Sequence, residues 1–147
     1  MSAALPELLE ANRVKARRSL ALVAASLSEY RPFDPHREYS AKELEPFDAL
    51  ADRFVRAVEC GLRYFRSVEM DRFAEQSDST RSLLERMEKL GLIRAAPLWM
   101  AMRNIRNRLV HDYLPEQTAE MFALVAGEFG VELLALDLAL ALPPSHS

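Results

Sequence analysis

Residues 40–65 read SAKELEPFDALADRFVRAVECGLRYF, and the apolar spacing inside this stretch decides the fold class. Leu50, Phe54, Val58, Leu62 and Phe65 recur at steps of four and three residues. At 3.6 residues per turn those positions share one face, so the stretch predicts an amphipathic helix with one buried side. Ser40, followed three residues later by Glu43, has the form of a capping box and sets the start. A slightly later start would place Pro46 in the first turn. The same pattern carries the helix to about Phe73.

Working outward, helical spacing recurs almost everywhere, and no strand-like alternation survives for six residues. Upstream, a first helix is expected from about Pro6 to Glu29, with Leu9, Val14, Leu20, Val23 and Leu27 as a loose stripe. Arg13, Lys15, Arg17 and Arg18 form a basic cluster on it. Pro32 and Pro35 prevent that helix from continuing. Downstream, Ser77-Asp78-Ser79 breaks the long helix and caps a third, Thr80 to Leu90. Gly91 closes it, since glycine tolerates the left-handed position after a helix end. A fourth helix starts near Pro97, and Pro115 separates it from a fifth, about Gln117 to Leu142. Residues 143–147 read as a frayed tail. The expectation is a single all-α domain over 1–147, an up-and-down bundle of four main helices and one shorter one.

The composition fits such a domain. The chain has 147 residues, half of them hydrophobic and 28% charged, a globular balance. Its net charge of −3 argues against a general nucleic-acid coat protein, whose affinity rests on many phosphate contacts. A local basic patch is a separate matter, because field and net charge are different quantities. The one cysteine, Cys60, allows no internal disulfide and favours a reducing compartment. Within Ala57–Leu62 it reads as a small buried hydrophobe rather than a nucleophile. The N-terminus lacks a basic segment followed by an apolar core, so no signal peptide is expected. Val131 to Leu142 is interrupted by Glu132 and Asp137 and is too short to span a bilayer. A cytoplasmic protein without a membrane partner is the expectation.

Most chemical motifs are missing. No Gly-rich phosphate loop or nucleophile elbow occurs, and His36, His111 and His146 are scattered, so neither a metal site nor a cofactor is expected. The exception is Arg103 to Tyr113, RNIRNRLVHDY, with three arginines, two asparagines, a histidine and a tyrosine. On one straight helix Leu98, Met102, Ile105 and Leu109 would face the core, while Arg103, Asn107 and His111 would stack on another flank. Arg106 and Tyr113 would lie between the two, so Arg106 would not sit directly beside His111. Either a long guanidinium or a second copy of the helix would have to close that gap. Read from the residues alone, the segment fits a solvated face as well as a site.

The spacing Arg106, a polar Asn107, three more residues and His111 resembles the signature of the HEPN superfamily, many members of which are ribonucleases. Tyr113, two residues on, extends the likeness to the Arg-x4-His-x-Tyr pattern of HepT-like toxins. The motif covers only Arg106 to Tyr113, but the helical layout extends it over nearly the whole chain. The resemblance implies a HEPN-like helical domain that cuts RNA without a metal, the ribose 2′-hydroxyl serving as nucleophile. Arg106 and His111 would be catalytic, the imidazole moving a proton near neutral pH and the guanidinium holding the phosphorane oxygens. Asn107 and Arg103 would support them. It also implies a homodimer with the cleft at its two-fold interface. A minimal nucleotidyltransferase would serve as antitoxin, blocking the toxin and adenylylating Tyr113. The bland role of Tyr113 is an aromatic at the core edge. The overall acidity departs from expectation for an RNA-binding surface.

A second function class stays open: a non-catalytic helical substrate-binding or accessory subunit of a nucleotidyltransferase. A general base has no use in such a module, so toxicity that depends on His111 separates the two.

Overall fold

The computed structural model describes residues 4–109, 111 and 114–141, and it is all-α. The helices are α1 (Ala4–Ser28), α2 (Ala41–Phe73), α3 (Thr80–Lys89), α4 (Ala96–Arg108), α5 (Pro115–Leu124) and α6 (Gly130–Ala141). They form a helical bundle in which α2 touches α1, α3 and α4, while α1 also packs on α6.

The long helix forms as its sequence dictates. The Ser40 hydroxyl accepts from the Glu43 N–H at 3.1 Å, and the Ser40 N–H donates to Glu43 Oε1 at 3.0 Å, which completes the capping box. Pro46 therefore lies inside the helix rather than in its first turn. Leu50, Phe54, Val58, Leu62 and Phe65 are all buried. α3 starts at Ser79, whose hydroxyl caps the Ser82 N–H at 3.1 Å. It ends at Gly91, where φ is +79° and the Gly91 and Leu92 N–H groups return to Glu88 and Met87 carbonyls. That paired return is a Schellman close, which glycine accommodates without steric cost.

Three expectations are corrected. The buried side of α1 runs through Asn12, Ala16, Ser19, Leu20 and Val23, whereas Val14 is only half-buried. A polar contact holds the stripe there: Asn12 donates to the hydroxyl of Ser67 on α2. The predicted fifth helix begins at Pro115 and is broken into α5 and α6 by a wide turn over Val125–Phe129. Gly127, at φ −92° and ψ −118°, leaves the helical region within it. Finally, α4 does not carry the whole segment to Tyr113, because it ends at Arg108 with Leu109 as its cap. Further on, Pro115 holds Leu114 in an extended conformation (ψ 150°), which keeps α4 from running on into α5.

The basic cluster of α1 is partly consumed in packing. Arg13 donates to the Leu140 carbonyl at 2.6 Å, and Arg17 to Asp137 at 3.1 Å, tying α1 to α6. Cys60 is a free thiol, half-buried against the core. Among the described residues no helix is long and apolar enough to cross a membrane. The tail 143–147 and Leu142 lie outside the described residues.

Candidate functional site

The core stripe of α4 is Ala96, Trp99, Met102 and Ile105, with Leu98 and Leu109 packed at its edges. Burying that stripe leaves Arg103 and Arg106 on the flank of α4 turned toward α2. On α2, burial of Leu62 and Phe65 leaves Glu59, Arg63 and Arg66 on the facing flank, at four- and three-residue steps. The two flanks and the first residue of α3 enclose a cleft of about 370 Å³, lined by Glu59, Leu62, Arg63, Arg66, Thr80, Arg103 and Arg106. Among the described residues that line it, four guanidinium groups face one carboxylate.

Arg106 is the most fixed of the four. Its side chain is only 18% exposed, and its Nη1 lies 3.5 Å from Glu59 Oε1. Its Nε and Nη2 donate to Asn107 Oδ1 at 3.2 and 2.9 Å. Asn107 thus holds the arginine through an amide oxygen rather than stacking one helical turn before the histidine. Arg63 and Arg66 are exposed and Arg103 is half-buried. Among the described residues no carboxylate lies within ion-pair distance of Arg63, Arg66 or Arg103. Arg103 also lines a second hollow of about 350 Å³ with Met100, Ala101, Asn104 and Asn107. Planar guanidinium donors converging in a recess are suited to phosphate oxygens.

His111 sits beyond the end of α4, exposed, with its N–H donating to the Arg108 carbonyl at 3.1 Å. It does not line the arginine cleft. One straight helix therefore does not relate Arg106 to His111, because the chain leaves the helix after Arg108. Tyr113 lies outside the described residues. Arg63, Arg66 and Glu59 escape a motif search, although their helical spacing on the polar side of α2 was visible.

A larger hollow, about 710 Å³, opens between the end of α1, the segment after it and the start of α2. Its charged groups balance, three arginines against three glutamates. Arg37 pairs with Glu43, while Arg53 donates to the Ser26 hydroxyl at 2.8 Å and toward the Leu22 carbonyl at 3.3 Å. Size alone does not make it the chemical site; the smaller cleft holds the unbalanced charge. Among the described residues no group of three or more His, Cys, Asp or Glu side chains converges as metal ligands would. Comparison of the chain with known protein families and with curated proteins finds no match.

Proposed function

We propose that this protein is a metal-independent endoribonuclease, acting in the cytoplasm as the toxin of a toxin–antitoxin pair with a nucleotidyltransferase antitoxin. The supporting observation is Arg106, four-fifths buried at the mouth of an arginine-lined cleft and held on two sides by Asn107 and Glu59. Five residues on, His111 offers an exposed imidazole. The Arg106–Tyr113 resemblance assigns these two side chains to RNA cleavage.

In the reaction His111 accepts the ribose 2′-hydroxyl proton as O2′ bonds to phosphorus. The bond from phosphorus to O5′ breaks, leaving a 2′,3′-cyclic phosphate, and O5′ takes up a proton from an imidazolium. Arg106 holds the phosphorane oxygens throughout. Because His111 stands outside the cleft of its own chain, the proposal includes a homodimer in which a second copy brings its histidine to Arg106. DNA lacks the nucleophile and is not a substrate. Tyr113 is the residue proposed to be adenylylated by the antitoxin, which would put a phosphodiester in competition for Arg106.

His111→Ala should lower cleavage by about 10²–10⁴-fold, the usual worth of positioned proton transfer. Arg106→Ala should cost about as much as a lost oxyanion donor, roughly 10²–10³-fold. Both variants should keep wild-type helix content and activity of the wild type should persist in EDTA. Equal cleavage by wild type and His111→Ala would remove the nuclease assignment. One observation favours the accessory-subunit reading: without His111, the cleft is an anion-binding surface and no more. That reading expects RNA or nucleotide binding with no cleavage and no toxicity.

A further inference from the structure

The arginines that the motif does not contain raise a separate question. Arg63 and Arg66 project one turn apart from α2, and Arg103 faces them one turn before Arg106 on α4. Like charges gathered in one recess repel, and among the described residues a single partly exposed carboxylate, Glu59, sits among them. The recess also opens at the first residue of α3, Thr80, where the positive end of a helix dipole adds to the same field. Among the described residues no aromatic ring lines the cleft, so they offer no platform on which a base could stack. A cleft of about 370 Å³ has room for a few phosphates of one strand and none for a duplex.

We propose that Arg63, Arg66 and Arg103 form a backbone subsite for single-stranded RNA, binding the phosphates that flank the one held by Arg106. Glu59 is its internal counter-ion, occupying Arg106 until a substrate phosphate takes the carboxylate's place. The identity of the polymer rests on the ribonuclease reading; the binding of a polyanion does not. The subsite reads phosphate and not base, so it sets affinity and register while tolerating sequence. It also reconciles an acidic chain with an RNA substrate, since the required charge is gathered locally rather than spread over the surface.

The test uses a fluorescein-labelled oligoribonucleotide with every 2′-hydroxyl methylated, which cannot be cut by 2′-oxygen attack. Its binding to the full chain is followed by anisotropy over a range of salt concentrations. Each phosphate contact to a single strand contributes about 0.7 to the slope of log affinity against log salt. The double variant Arg63→Ala/Arg66→Ala should lose about 1.4 of that slope. Arg63→Lys/Arg66→Lys should keep most of it, which separates lost charge from misfolding. Glu59→Gln should bind several-fold more tightly than wild type. Unchanged slope and affinity in the alanine pair, tighter binding by it, weaker binding by Glu59→Gln, or no binding by wild type would each overturn the subsite. Cleavage is scored separately on unmodified RNA. Arginine-dependent binding without His111-dependent cleavage keeps the subsite and removes the nuclease. Cleavage that ignores the alanine pair, with unchanged binding, does the reverse.

Discussion

Replacing Glu132 tests how the bundle fixes α4, and with it Arg103 and Arg106. Glu132 is 5% exposed on α6, and its Oε2 accepts two hydrogen bonds. One comes from the indole Nε1 of Trp99 at 2.8 Å and the other from the Arg94 N–H at 3.0 Å. Trp99 is fully buried and meets Phe65 of α2 edge-on, ring centroids 5.0 Å apart. Glu132→Leu keeps the bulk but removes the acceptor from both donors. An unmet buried donor costs about 1–3 kcal/mol; the indole carries most of that, since the Arg94 amide is nearer to water. A net loss of about 2–3 kcal/mol follows. Glu132→Gln should cost about 1 kcal/mol or less, because one amide oxygen has lone pairs for both bonds. Urea unfolding followed by emission of Trp99, the one tryptophan, measures the difference directly. The midpoint should fall while the slope with urea stays constant. Gln as damaging as Leu, or Leu as stable as wild type, would refute the hydrogen-bond account.

Two further outcomes follow from the core. Gly61→Ala places a Cβ 3.2 Å from two ring atoms of Trp99, which Glu132 and Phe65 prevent from retreating. Crowding of about 1–3 kcal/mol then outweighs the roughly 1 kcal/mol gained in helix propensity, so the variant should be less stable; a higher urea midpoint would contradict this. Burial pushes the phenol of Tyr64 up from its ordinary 10.0, with Arg13 and Arg72 opposing. The folded state thus favours the neutral phenol, and its stabilising effect, complete below pH 10, is lost as pH rises through the raised value. Stability measured at pH 8 and at pH 11 should therefore drop less for Tyr64→Phe than for wild type, and equal drops would assign the alkaline loss elsewhere.

The parts of this fold that were legible in the sequence are those with a local cause. Ser40 with Glu43, Ser79, and Gly91 each satisfy backbone groups within a few residues, so the helix ends they make could be read directly. The α2 stripe was equally plain because Leu50, Phe54, Val58, Leu62 and Phe65 are all apolar. Legibility failed where a distant partner decides. Asn12 is buried because Ser67 lies opposite it, and Trp99 takes the centre of the α4 stripe because Glu132 receives its indole. Neither partner can be found by periodicity. The end of α4 at Arg108 was not legible, since Pro115 restrains only Leu114 and the Arg-Asn run contains no stop signal of its own. Arg106 and Asn107, from the motif, and Arg103, one turn before it, are legible in the sequence, and the structure brings them together. Arg63 and Arg66 were not, because the property that matters, four guanidinium groups in one recess, exists only once α2 and α4 are packed.

That packing also bears on why the arginines are there. On α1, Arg13 and Arg17 are matched to Leu140 and Asp137, so their charge serves the bundle. On α3, Arg86 is matched to Glu69 and Glu75. The same chain therefore places acceptors opposite arginines wherever an arginine holds helices together. In the α2–α4 cleft the described residues place one glutamate among four cations, and among them that glutamate pairs with Arg106 alone. Repulsion in the recess works against the close approach of α2 and α4 that Trp99 and Gly61 make possible. A local rule broken without compensation among the described residues is what the proposed subsite would require, its compensation arriving from outside. The charge that would balance the cleft is negative, and planar donors suit an oxyanion, which is why the proposed subsite is assigned to phosphates.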